Sequence, residues 1–212
     1  MKTNDLIELL AQHAPAQPPG QAGRRLWAAL ALGGSISLGF VVLWLRCQPL
    51  LVAGSQPWFW MKAAFTGLLT VAGVAIVRRL ATPGGAARLA PWLGVAVIVA
   101  MGLLGFGQLL STPFAARMTV WLGQTWKVCA LLILLLALPI YAALVLAVRT
   151  LAPTRLRLSG AAAGFSAGAF AATLYGLHCP EQGAAFAMTW YSLGIAASAA
   201  VGALTGPRLL RW

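Results

Sequence analysis

The sequence predicts an all-α fold, a six-transmembrane-helix bundle, and three observations carry that expectation. Of 212 residues, 60% are hydrophobic and only 8% are charged, where a soluble domain carries roughly a quarter charged residues. Six apolar runs each approach or exceed the roughly 20 residues that a helix needs to cross the hydrocarbon core. Strand-like alternation with a period of two is missing, which argues against a membrane barrel. Composition thereby excludes a water-soluble enzyme, a disordered chain and a disulfide-dense secreted module.

The runs are 26–45, 58–77, 91–110, 126–148, 159–177 and 186–205. Lipid offers no partner to backbone N–H and C=O groups, so each run is expected to be a helix. Pro139 interrupts the fourth run and predicts a kink there. The first run lacks a small-residue cleavage pattern after it, so it reads as a retained helix and not a removed signal peptide. Short connections imply an up-and-down bundle with little mass outside the bilayer.

Charge placement sets the expected orientation. The net charge is +12, with three acids against 15 Lys and Arg. Such an excess elsewhere suggests nucleic acid, but here the basic residues flank the apolar runs, and no direct nucleic-acid contact is expected. Lys2, Arg24, Arg25, Arg78, Arg79, Arg88, Arg149, Arg155, Arg157, Arg208 and Arg211 fall on one side. Arg46, Lys62, Arg117 and Lys127 fall on the other. The positive-inside rule then places both termini in the cytoplasm. Lys62 and Lys127 lie near span ends, where long stems are expected to reach the headgroups. Trp58, Trp60, Trp126 and Trp190 suit an interfacial belt in contact with membrane lipid.

Small residues recur in steps of four at Gly160, Gly164 and Gly168, and again at Gly194, Ser198 and Gly202. That interval permits close helix approach. Packing within one bundle is the plainer use, and a homodimer contact is the alternative.

Residues 1–24 form an amphipathic segment followed by a Pro-rich linker, and 25–212 the six-helix membrane domain. Thr3 or Asn4 can cap a short helix whose first turn holds Asp5 and Glu8, where negative charge is favoured. Leu6, Leu9, Leu10 and His13 share a face, and Ile7 widens it. About three turns are marginal alone in water, so the segment needs a surface to pack on. Membrane-surface helices are rich in Lys and Arg. This one holds two of the three acids, which favours a protein groove. Pro15, Pro18, Pro19 and Gly20 make the stretch 14–23 an extended tether.

The three cysteines, Cys47, Cys129 and Cys179, all fall at the outer face under this topology. In a bacterium that face meets an oxidising compartment. The fourth span begins and the fifth ends at this surface, so Cys129 and Cys179 become neighbours if the two helices pack together. Two chemistries follow: a disulfide, or a soft-metal site in which His178 or Glu181 completes the shell. A cysteine is also a small buried hydrophobe; Cys129 suits that description, and Cys179, beside Pro180 in a polar loop, suits it poorly.

The opening Met1-Lys2-Thr3-Asn4-Asp5-Leu6-Ile7-Glu8-Leu9-Leu10-Ala11 resembles that of a family of six-span bacterial inner-membrane anti-sigma factors, the negative regulator of sigma F type. So do His178-Cys179-Pro180-Glu181, the following Phe186, and Trp190-Tyr191-Ser192-Leu193-Gly194-Ile195; Cys129, after Trp126, matches the other signature cysteine. The resemblance implies a protein that holds an extracytoplasmic-function sigma factor at the membrane, away from RNA polymerase. It implies that Cys129 and Cys179 sense heavy-metal or oxidative stress, with no resident cofactor, a heavy-metal ion being the signal. It assigns nothing to Cys47. The sigma-binding surface would comprise Asp5, Leu6, Ile7, Glu8, Leu9 and Leu10 plus the basic inner loops.

Two other functions compete with this one. A quinone-linked thiol oxidoreductase would use outer cysteines, but exchange commonly employs C-x-x-C spacing, and these three thiols are far apart in sequence. A transporter would need ionisable groups deep in the bilayer, and the runs hold almost none. No nucleotide loop, zincin helix or nucleophile elbow is present, so an enzyme is not expected.

Overall fold

The structure, a computed structural model, describes residues 20–49, 54–81 and 89–211. Its regular structure is entirely helical among these residues. The amphipathic segment, with Asp5, Leu6, Ile7, Glu8, Leu9 and Leu10, lies outside the described residues.

Six long helices match the six apolar runs. They are α1 (Gln21–Leu45), α2 (Pro57–Ala81), α3 (Ala90–Ser111), α5 (Trp126–Arg149), α6 (Leu156–Tyr175) and α7 (Ala184–Leu209). A short helix, α4 (Phe114–Leu122), sits between α3 and α5. Helix α1 starts within the expected tether, so Gln21–Gly23 are helical and not extended.

Five of the helical segments are long and apolar enough to cross a membrane, with α4 and α5 forming one of them. Helix α6 is long enough but less apolar, because it is built mainly of Ala, Gly and Ser. Its position explains that composition. It lies inside the bundle, packed against α7, α2 and α5, and a helix shielded by other helices needs close backbone approach more than lipid-facing bulk.

The glycine rows are spent on each other. A Cβ added at Gly160 would strike the Gly202 carbonyl oxygen, and one at Gly164 the Ser198 carbonyl oxygen. The α6 and α7 backbones therefore meet with no side chain between them, the packing use expected of this spacing. Pro139 is accommodated within an unbroken α5. Ser37 of α1 donates to the Leu136 carbonyl at 2.7 Å, one residue from the carbonyl that Pro139 leaves without its helical donor.

Four more buried Ser and Thr hydroxyls are satisfied similarly. Thr66, Thr70, Ser166 and Ser198 each donate to a carbonyl one turn back. Tyr141 of α5 pairs with Thr205 of α7 at 2.7 Å.

The two ends of the bundle differ chemically. Arg24, Arg25, Arg78, Arg79, Arg149, Arg155, Arg157 and Arg208 lie at helix termini that share one end, where Arg25 reaches the Thr150 hydroxyl at 3.2 Å. The cysteines, Lys62, α4 and the α6–α7 loop occupy the other.

Candidate functional site: a buried thiol pair under a stapled loop

The site forms where three elements converge: the start of α5, the end of α6 and the first turns of α7. Cys129 lies in the first turn of α5 and is fully buried. Cys179 lies past the turn that ends α6, its N–H donating to the Tyr175 carbonyl at 3.0 Å, and is 2% exposed. The two thiols lie within electrostatic range of each other and are unbonded. Packing of α5 against α6 therefore brings this pair together, as the spans imply.

Burial of Cys179 departs from the expectation for a polar loop. Two contacts fold the loop inward. Lys62 of α2 donates to the carbonyl oxygens of Cys179 at 3.0 Å and Glu181 at 2.7 Å. Glu181 itself reaches over to α5. Its Oε1 accepts from the backbone N–H of Gln124 at 2.7 Å and Thr125 at 3.1 Å, and lies 3.3 Å from the Thr125 hydroxyl. These donors stand at the N-terminus of α5, where helices leave N–H groups without partners and favour negative charge. The loop carrying Cys179 is thereby stapled to the helix carrying Cys129.

Lys62 thus differs from the expected headgroup-seeking lysine. It is 4% exposed, and its ammonium turns inward because the carbonyls flanking Pro180 replace its hydration. Lys127, by contrast, is exposed, with its ammonium 5.7 Å from the Trp126 ring centre.

Gly123 makes the staple possible. Its φ is +60°, and a Cβ there would stand 2.6 Å from Glu181 Oε2 and 2.7 Å from the Phe186 ring. Sequence reasoning passed over this glycine; the Gly123-Gln124-Thr125 turn just ahead of an apolar helix is the signal that marks it.

By sequence, His178 or Glu181 completes a metal shell with the cysteines. The structure directs both side chains elsewhere. His178 Nδ1 lies 3.0 Å from the Arg46 carbonyl oxygen, which requires the proton on that nitrogen. The Glu181 carboxylate faces the α5 terminus. Among the described residues no three His, Cys, Asp or Glu side chains are gathered in a metal-holding group. Cys47 is half-buried beside the same loop, with Gln48 N–H donating to the Leu177 carbonyl at 3.0 Å.

The thiols' polar neighbours are tyrosines. Tyr175, in the last turn of α6, has its hydroxyl beside Cys129, and Tyr191 has its hydroxyl beside Cys179, neither forming a hydrogen bond. A π-helical turn, Ala187–Tyr191, holds Tyr191 there, and such turns often mark functional positions in helices. The Tyr rings touch, with centroids 5.8 Å apart. A small cavity of about 30 Å³ opens beside Lys62 and Cys179, lined also by Gln48, Gln56 and Glu181.

Helix α4 supports this end of the bundle and was not anticipated. Trp121 donates to the Thr189 hydroxyl at 3.0 Å, and Trp190 donates to the Trp121 carbonyl at 3.1 Å. Trp190 stacks between Trp121 and Trp126, with centroids 6.1 and 5.4 Å apart. It is therefore a packing residue at this end of the bundle. Apolar residues Phe114, Met118 and Trp121, at i, i+4 and i+7, were the sequence signal for α4.

Comparison with known proteins decides the family. Residues 10–212 match the family described as "Negative regulator of sigma F". The chain belongs to the negative regulator of sigma F family. Relatives of the same family type cover the full length. One is the Anti-sigma-F factor NrsF of Caulobacter vibrioides (strain NA1000 / CB15N), 42% identical over 214 residues with 100% of both chains covered. Another is the Probable anti-sigma-F factor NrsF of Azospira oryzae (strain ATCC BAA-33 / DSM 13638 / PS), 41% identical over 215 residues with 100% of both covered. No solved structure matches the chain. Family membership agrees with the resemblance drawn from the N-terminal and His178–Glu181 motifs.

Proposed function

We propose that the chain is an anti-sigma factor of the bacterial inner membrane. The observation that carries this reading is similarity across the whole chain, at 42% identity, to a protein named as an anti-sigma-F factor. The partner is a sigma factor of the extracytoplasmic-function class, held by the acidic, apolar face of residues 5–10. The role is regulatory and not enzymatic.

All six long helices cross the bilayer in this reading, with α6 crossing inside the bundle. Both termini are cytoplasmic, which puts the arginine-rich end inside. A short helix binds weakly alone, and tethering to the membrane domain raises its effective concentration. At the outer end, Cys129 and Cys179 perceive heavy metal or oxidant. Support comes from their proximity and from the staple that joins Cys179 to both α2 and α5. A change at the sulfurs pulls on two helices that run to the inner face. A signal shifts the holding equilibrium only by its differential affinity for the two arrangements. A hundredfold release requires about 2.7 kcal/mol, within reach of one thiolate–metal interaction.

The test is affinity capture of the full chain from detergent extract. A sigma factor co-purifies and is discharged by metal or oxidant. Capture of no sigma factor from cells that express one under this chain's control would overturn the proposal.

A further inference from the structure

Tyr175 and Tyr191 are fully buried, and neither hydroxyl makes a hydrogen bond. Buried polar groups are rarely left this way, and each exception calls for a reason. Both hydroxyls are in the same small volume, one beside each sulfur of the pair. Thr125, the other hydroxyl near Tyr175, is turned to Glu181 at 3.3 Å. A neutral thiol is a weak acceptor and leaves an O–H poorly satisfied. A thiolate is a charged acceptor, and hydrogen bonds to charged groups are the strong ones. The site thus holds donors fitted to a charge that its resting sulfurs lack.

We infer that Tyr175 and Tyr191 are the hydrogen-bond donors to the sulfur pair in its metal-bound form, occupying the place around the sulfurs that His178 and Glu181 do not. This rests on the proposal that Cys129 and Cys179 receive a heavy-metal ion. A divalent soft cation binds both sulfurs and displaces their two protons to solvent, so that two S–H bonds are exchanged for two S–metal bonds with no change of oxidation state. Each sulfur then carries negative charge shared with the cation. Each phenol O–H gains the acceptor it lacks at rest. The hydroxyls favour the bound state over the free one, which is the differential affinity a sensor requires. Two sulfur ligands backed by donors suit a thiophilic ion, and the cavity beside Lys62 and Cys179 is the approach.

The experiment uses the purified full chain in detergent, titrated with Cd(II) and followed by the ultraviolet charge-transfer band of thiolate-bound cadmium. Variants are Tyr175→Phe, Tyr191→Phe, the double variant, and Cys129→Ser with Cys179→Ser. The expected result has two parts of opposite sign. Each Tyr→Phe change weakens Cd(II) about tenfold, as the loss of one charge-assisted hydrogen bond does. The metal-free melting temperature of the same variants equals or exceeds that of the parent, because an unsatisfied buried hydroxyl has been removed. Cd(II) binding unchanged in the Phe variants overturns this inference alone. A lowered metal-free melting temperature also overturns it, by showing that the hydroxyls have partners at rest. No thiolate band in the parent chain, or a band that survives in the serine variant, overturns the cysteine reading and this inference together.

Discussion

The Lys62 ammonium of α2 donates to the Cys179 carbonyl at 3.0 Å while nearly all of the side chain is buried. Its second carbonyl, Glu181, lies two residues further along the same loop. Lys62→Met keeps the stem and deletes both bonds. Stability falls by about 1–3 kcal/mol, since one buried and one part-buried carbonyl lose their donor. Cys179 reacts faster with a membrane-impermeant maleimide, by about tenfold for each 1.4 kcal/mol lost from the closed loop. Labelling rates on spheroplasts, in a background of Cys47→Ser and Cys129→Ser, measure this. An unchanged rate would show that the loop holds its shape without the cation.

Glu181 and Gly123 act on one contact. Glu181→Gln removes the negative charge from the α5 N-terminus and costs about 0.5–2 kcal/mol. Gly123→Ala forces a side chain into a φ of +60° against the carboxylate and costs about 1–3 kcal/mol. The double variant loses less than the sum, because the second change damages a contact already broken. Thermal midpoints of the four proteins in detergent give the coupling, and strict additivity would separate the two residues.

Helix α6 tolerates no bulk toward α7. Gly164→Leu destabilises by about 3 kcal/mol or more through overpacking against the Ser198 backbone. Gly67→Ala is the control. Nothing lies within 4 Å of a Cβ at Gly67, and a helical Gly→Ala change there gains about 0.5–1 kcal/mol. Membrane-fraction abundance and melting temperature report both.

The proposed function separates holding from sensing. Cys129→Ser or Cys179→Ser leaves sigma-dependent transcription repressed and removes its rise on metal or oxidant. A full response in either variant would leave the cysteines as packing residues.

At the other end, Leu6→Ala with Leu10→Ala, or charge reversal of Asp5 and Glu8, raises that transcription without stress. The expected rise is tenfold or more for a loss of about 1.4 kcal/mol of binding. A reporter fusion with immunoblot control of protein level checks it. Repression intact at normal protein level would move the sigma-binding surface elsewhere.

Much of the helical frame was legible because long apolar runs leave the backbone to bond to itself. Hydropathy found six helices, and the interval-of-four glycines marked the α6–α7 contact. Span order put Cys129 and Cys179 at one surface, as neighbours on the condition that α5 and α6 pack together, and that packing is present. What escaped depends on where particular side chains turn. Lys62 sits at a span end like Lys127, and nothing local distinguishes a lysine that stays exposed from one that turns to the carbonyls of the α6–α7 loop. Glu181 was read as a potential ligand because it neighbours Cys179; only the fold places the α5 terminus opposite it. Tyr175 and Tyr191 carried no motif of their own as donors, since a buried tyrosine on an apolar helix is ordinary until its hydroxyl is seen to lack a partner.

The composition of α6 has a mechanical consequence. Alanine and glycine have no side-chain rotamers and serine has one short torsion, so this helix has little room to absorb a displacement by rearranging side chains. A tug on Cys179, fixed to its terminus, is not dissipated along the way: the helix stays put or travels as a rigid piston, and any travel is delivered undiminished to Arg155 and Arg157 at its far end.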